Sequence, residues 1–173
     1  PIRSQSPRAG AQNDGARGDG AQNRSRFGAS AVLLVVAMQF ETKIVICVRN
    51  ELAVWQKLNV ASFLAGGIAG VNPEIMGLPY ADADGKIYGA LIRQPILVFG
   101  ADPGELQRTL ARAGERGVRP HIYTAGMFAT GHDAANRAVV AAAKTDQLDL
   151  VGLGFIADRR IADKITKGLS LHG

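Results

Sequence analysis

Apolar residues fall along this chain in short dense runs, with stretches of helical spacing between them. Lys43–Arg49 (KIVICVR) is a continuous apolar run between charged ends, the pattern of a buried strand. Trp55, Leu58, Ala61, Ser62, Ala65 and Ile68 then recur at helical spacing and predict a helix. Gly66, Gly67 and Gly70 weaken and stop it, and Asn72-Pro73 marks the break. Asp82-Ala83-Asp84-Gly85 is a turn signal between short extended pieces, Leu78–Ala81 and Lys86–Ile92. Pro95–Phe99 (PILVF) reads as a second buried strand. Asp102 before Pro103 then supplies an N-cap and a first-turn proline for a helix reaching about Arg116, with Gly117 as its stop. Val118–Tyr123 is a third strand, and a polar loop, Thr124–His132, leads into an Ala-rich helix from Asp133 to about Lys144. Asp149–Phe155 is the fourth strand, turning at small residues into a last helix, Asp158–Lys167. Strands alternating with helices predict an α/β class, three layers of α/β/α around a mixed sheet of about four main strands.

Composition adds one correction to this outline. The chain of 173 residues carries a net charge of +5, but residues 1–37 hold five Arg against two Asp. The remaining residues hold 15 Lys and Arg against 13 Asp and Glu, so the domain is close to neutral and a nucleic-acid-binding footprint is not expected. Residues 1–28 are rich in Gly, Ala, Arg, Asn, Gln and Ser without apolar periodicity and are expected to be a disordered tail. Ala29–Met38 is too short for a membrane span and has a poor cleavage context for a signal peptide. Residues 1–37 are therefore read as a tail or as an extension upstream of a start at Met38, with 38–173 as one domain and a cytoplasmic location.

Several motifs reduce to structural readings. Gly152-Leu-Gly154-Phe-Ile-Ala157 matches a dinucleotide fingerprint, which also needs a following strand and an acidic residue about 20 positions on. The 16 residues after Ala157 are expected to hold no second strand, so the glycines are read as permitting close helix–strand packing. Counting from Asp82, a calcium loop would put a ligand on Arg93, and a cation there excludes the site. His121, His132 and His172 lack ligand spacing, so neither metal nor cofactor is expected. Cys47, the single cysteine, lies in a strand pattern and reads as a buried core residue. Thr130-x-x-Asp133 makes a capping-box pattern beside His132. Arg159 and Arg160 occupy the first turn of the last helix, where the helix dipole disfavours cations unless an anion binds.

KIVICVRNELAVWQKLNVASFLAGGIAG, RQPILVF and LVGLGFIADRRIADKITKGLSL together resemble the peptidyl-tRNA hydrolase type 2 fold. PYADADGKIYGALIRQPILVF with FATGHDAANRA more closely resembles domain-of-unknown-function family 2000, a family regarded as structurally related to those hydrolases. The resemblance spans about Glu41–His172. It implies an ester-cleaving site containing a lysine at the start of the first helix, here Lys57. The hydrolases' Asp after the third strand falls on Thr124, and their Thr at the start of the last strand falls on Asp149. The missing carboxylate argues against ordinary peptidyl-tRNA hydrolysis. It also suggests that the two side-chain types have exchanged places across adjacent strand ends, which requires Thr124 and Asp149 to lie within about 6 Å.

Three functions are compatible with these residues. One is a small anionic ligand bound by Lys57, Arg93, Thr124, Thr130, His132 and Asp149, with Arg159 as a further anion-binding candidate. Another is ester or amide hydrolysis, with Lys57 positioning the substrate and Asp149 or His132 as general base. The third is a homodimer formed through Ala61, Ala65 and Ala69 together with exposed aromatics.

Overall fold

The computed structural model describes residues 40–173, so the expected tail and the run Ala29–Met38 lie outside the described residues. β1 (Thr42–Arg49) is the central strand, with Ile44 to Val48 all buried. α1 (Val54–Val71) follows, then a 3-10 turn at Pro73–Ile75 and a small hairpin of β2 (Tyr80–Ala81) and β3 (Ile87–Tyr88). β4 (Ile96–Ala101) leads into α2 (Pro103–Glu115) and β5 (His121–Thr124). A 3-10 turn, Ala125–Ala129, precedes α3 (Asp133–Ala141). β6 (Leu150–Asp158), α4 (Arg159–Ile165) and β7 (Ser170–Leu171) complete the fold.

The main sheet has the order β5-β6-β1-β4-β7. Only β1 and β4 are parallel, in register from Ile44↔Ile96 to Arg49↔Ala101; β6 runs antiparallel to both β1 and β5. The expected three-layer α/β/α architecture with a mixed sheet is present, with five strands rather than four. α1 covers one face through Val60, Leu64 and Ile68 on Ile44, Ile46 and Val48. α2 and α4 cover the other, burying Leu106, Ala113, Ala162 and Ile165 against Val45, Cys47, Leu153 and Phe155. Among the described residues no helix is long and apolar enough to cross a membrane.

The glycines of β6 explain how α1 docks. A Cβ on Gly152 would fall inside the contact radius of Val60 Cγ1 and lie 3.1 Å from Leu64 Cδ1. One on Gly154 would lie 3.2 Å from Ile68 Cδ1. These residues are helix–strand packing glycines in mid-strand, because β6 runs on to Asp158 instead of turning at Phe155.

Other expectations are corrected. α1 continues through Gly66, Gly67 and Gly70 to Val71, since its tertiary packing outweighs the roughly 1 kcal/mol cost of each helical glycine. Trp55 and Leu58, part of the helical pattern, are exposed. α3 ends at Ala141, and Thr145–Gln147 is a separate 3-10 turn. A strand does follow Ala157: Gly168, at φ +93°, turns the chain so that β7 pairs antiparallel with β4. Elsewhere the local chemistry acts as read. Asp102 accepts from Glu105 N at 2.7 Å while the Glu105 carboxylate accepts from Asp102 N at 2.8 Å, and Gly117 sits at φ +68° after α2. Asp82 closes its turn by accepting from Asp84 N and Lys86 N, with Gly85 at φ +80°.

Candidate functional site

Strand direction decides which side chains meet. β6 is antiparallel to β1 and β5, so its first residues lie beside the last residues of both. At this end Ala125 N donates to Asp149 O at 2.9 Å, and Thr124 pairs with Leu150 across a register shift that leaves Val151 as an extra residue on β6. Arg49, the last residue of β1, forms an ion pair with Asp149 and another with Glu51 at 3.5 Å. The Arg49 side chain is 12% exposed and the Asp149 side chain 63%. A largely buried guanidinium thus fixes a carboxylate that faces solvent.

Among the described residues, two polar atoms at this sheet end are buried without a hydrogen-bond partner: Arg49 Nε and Thr124 Oγ1. Thr124 as a whole is 3% exposed. The great majority of buried polar groups are paired, so two orphans among neighbouring strand ends call for an explanation. Asp149 is held by Arg49 and the Thr124 hydroxyl has no partner, so the two side chains do not bond each other even though their strand ends adjoin.

Lys57 belongs to the sheet-facing stripe of α1, one turn before Val60, the residue that covers Gly152. It therefore lies towards the end of the sheet where β6 begins. Among the described residues it makes no ion pair. α1 begins at Ala53, whose side chain accepts no hydrogen bond, and has no acidic residue in its first turn; Gln56 Oε1 accepts from Ala53 N at 3.1 Å. Asn59 on α1 accepts from Tyr123 OH at 3.3 Å. Rings bridge α1 to the turn after β5: Trp55 meets Phe128 edge-on at 5.7 Å, and Phe128 lies 5.2 Å from Tyr123. Burial raises the Tyr123 phenol above its ordinary range.

The remaining candidates are placed as follows. Thr130 hydrogen-bonds Met127 O at 2.8 Å and also Asn136, stapling the loop to α3. His132 is the N-cap of α3, its Nδ1 accepting from Ala135 N at 3.2 Å, so the Thr130–Asp133 capping box gives way to a histidine cap. Arg93 lies at the opposite end of the sheet: its N donates to Ile75 O at 2.9 Å, and the next residue, Gln94, bonds Thr42 at the start of β1. Arg159 is also at that far end, with its N on Glu41 O at 3.0 Å. The α4 N-terminus is capped by Asp158, which accepts from Arg160 N and Ile161 N, so a carboxylate already fills the place suggested for an anion. Ala61, Ala65 and Ala69 are half-buried; the exposed stripe of α1 is Val54, Leu58, Ser62, Gly66 and Gly70.

Cys47 is buried, and its thiol is pushed up to about 12, first by burial and then by the Glu105 carboxylate, which makes it a core residue rather than a nucleophile. Sequence reasoning missed Arg49 and Asn59. Arg49 reads as the charged flank of an apolar run. The signal for it is its position at the carboxyl end of a strand in an open α/β sheet, where ligands bind.

The family model described as "Protein of unknown function (DUF2000)" matches residues 42–173. Among solved structures, the chain is similar to Atu0240, a protein of unknown function from Agrobacterium tumefaciens strain C58. The two are 47% identical with a TM-score of 0.76, over 78% of this chain and 100% of that one. No curated protein matches the chain.

Proposed function

The chain belongs to the DUF2000 family of unknown function, and we propose that it binds a small anionic ligand at the sheet end formed by Arg49, Lys57, Thr124 and Asp149. The observation that carries this reading is the pair of orphaned buried polar atoms on Arg49 and Thr124, found where Lys57 lacks an acidic partner among the described residues. The first turn of α1 holds no acidic residue, and Ala53 offers it no side-chain acceptor, which supports the same sign of charge because the positive end of the helix dipole favours an anion. Lys57 supplies the attraction. Arg49 is balanced by Asp149 and by Glu51, so the attraction rests on Lys57 alone, and the Asp149 carboxylate accepts a hydroxyl or amine on the ligand. Thr124 can donate to the anion once the ligand opens the corner that now covers it.

Trp55, the single tryptophan and 62% exposed, supplies an optical reporter at the start of α1. Titration with phosphate and with acetate is expected to give a saturable fluorescence change for at least one anion, weakened tenfold or more by Lys57→Met. Failure of both anions to saturate, or equal affinity in the variant, rejects the reading.

Hydrolysis is a second reading, favoured by the solvent-facing Asp149 carboxylate held by Arg49. Asp149 would take a proton from water as its oxygen attacks an ester carbonyl carbon. Lys57 would stabilise the oxyanion, and the proton would leave on the departing alcohol. A correctly placed general base contributes about 10²–10⁴-fold, so Asp149→Asn should remove nearly all release of peptide from a peptidyl-tRNA substrate. Equal release by wild type and variant excludes it.

A further inference from the structure

A cavity of about 530 Å³ opens between α1, β5 and α3, and its walls include none of Arg49, Lys57, Thr124 or Asp149. Its size falls within the range of small-molecule sites, roughly 300–1,000 Å³. Leu64, Ile122 and Val140 give it apolar walls, and Phe63 and Tyr123 line it with rings tilted by 60° at 5.7 Å. Two uncharged polar groups, His121 and Asn136, interrupt this lining. Asp133 and Arg137 also border it, but they form an ion pair with each other one turn apart on α3.

We infer that this cavity is a second ligand site, separate from the sheet end, and that it takes a neutral, flat, nitrogen-containing aromatic ring. Shape and charge each narrow the choice. The paired Asp133 and Arg137 leave no net charge to attract an ion. A pure hydrocarbon would strand the His121 and Asn136 groups, and an unmet buried polar group costs about 1–3 kcal/mol. The Asn136 oxygen already bonds Thr130, so its amide N–H groups remain to be met by an acceptor such as a ring nitrogen. Burial lowers the pKa of His121, which favours the neutral imidazole with one donor and one acceptor. The tilted Phe63 and Tyr123 rings offer the contact that a flat heterocycle satisfies best.

The helix itself accommodates this wall. A Cβ on Gly67 would lie 3.0 Å from His121 Nδ1, so a glycine in the middle of α1 makes room for the imidazole.

The test is an amide-resolved NMR titration with adenine, with benzoate and phosphate as comparison probes. Adenine is expected to give saturable shifts at Ile122, Asn136 and Val140. Ala141→Phe, which fills the cavity from an exposed position on its wall, is expected to weaken that binding at least tenfold without moving the thermal midpoint. If that variant folds poorly, Ala141→Leu repeats the test with a smaller plug. Phosphate, even if it binds the sheet end, should leave the adenine shifts unchanged. The inference is overturned if adenine fails to saturate, if its shifts survive the plug in a folded variant, or if benzoate binds more tightly. It is also overturned if the shifts fall at Lys57 and Thr124 instead. Each of these results leaves the anion reading at the sheet end to stand or fall on its own titration.

Discussion

The two ends of the sheet are built from similar residues and satisfied very differently. Where β1 begins and β6 ends, Thr42 and the buried amide of Gln94 bond each other at 3.3–3.4 Å, Glu41 O accepts from Arg159 N, and Asp158 caps α4. Where β1 ends and β6 begins, Thr124 Oγ1 and Arg49 Nε are buried without partners, and a largely buried arginine steadies a carboxylate that faces water. The first end is arranged as stability alone requires. The second carries buried polar groups that find no partner among the described residues, which is why the ligand is proposed there. The contrast is what sets the proposed ligand end apart from the other, without reference to any relative.

Two substitutions break the proposed ligand end from opposite directions. Gly152→Ala pushes a methyl group into Val60 and Leu64 and lifts α1, with Lys57 one turn away, from the sheet. Overpacking of this kind costs about 1–3 kcal/mol, so urea unfolding should show that loss together with weaker anion binding. Arg49→Met keeps much of the buried stem and removes both ion pairs. Because Asp149 and Glu51 face solvent, the stability loss should be about 1 kcal/mol or less, well below the cost of stranding a buried carboxylate. The larger effect is expected on function, since Asp149 loses the group that orients it.

These ends were unequally readable in the residues. α2 was readable almost to the residue, because Asp102, Pro103 and Gly117 mark its limits by local chemistry. α1 was readable as a helix but not in its phase: it is apolar on nearly every side, and the glycines of a strand some 90 residues later decide which stripe is buried. Lys57, Thr124 and Asp149 fall at one end, whereas Arg93 and Arg159 fall at the other. Charge and loop position do not say which end of a sheet a loop closes on; that follows from strand direction, here the antiparallel insertion of β6 between β5 and β1. Arg49 was hidden for a related reason, since its partner Asp149 lies 100 residues away.

The same substitution at the two ends sharpens the comparison further. Thr42→Val removes the partner of a buried amide and should cost about 1 kcal/mol, the usual worth of such a bond. Thr124→Val keeps shape while deleting a hydroxyl that bonds nothing, so it should leave stability unchanged or raise it by up to about 1 kcal/mol while weakening anion binding. Equal losses in urea unfolding at both positions would remove the distinction between the ends.

The smallest expected effect is a pH dependence set by His121, at the start of β5 and so towards the satisfied end. Burial lowers its folded-state pKa below the ordinary 6.5. Between that lowered value and 6.5 the unfolded chain therefore binds more protons than the folded one, and linkage makes stability rise with pH there. On acidification the contribution is intact above about 6.5, is lost as pH falls through the window, and levels off below the folded pKa. Urea midpoints measured between pH 7 and pH 5.5 should decline in the wild type and flatten in His121→Gln. An unchanged slope in the variant would move the pH dependence away from β5.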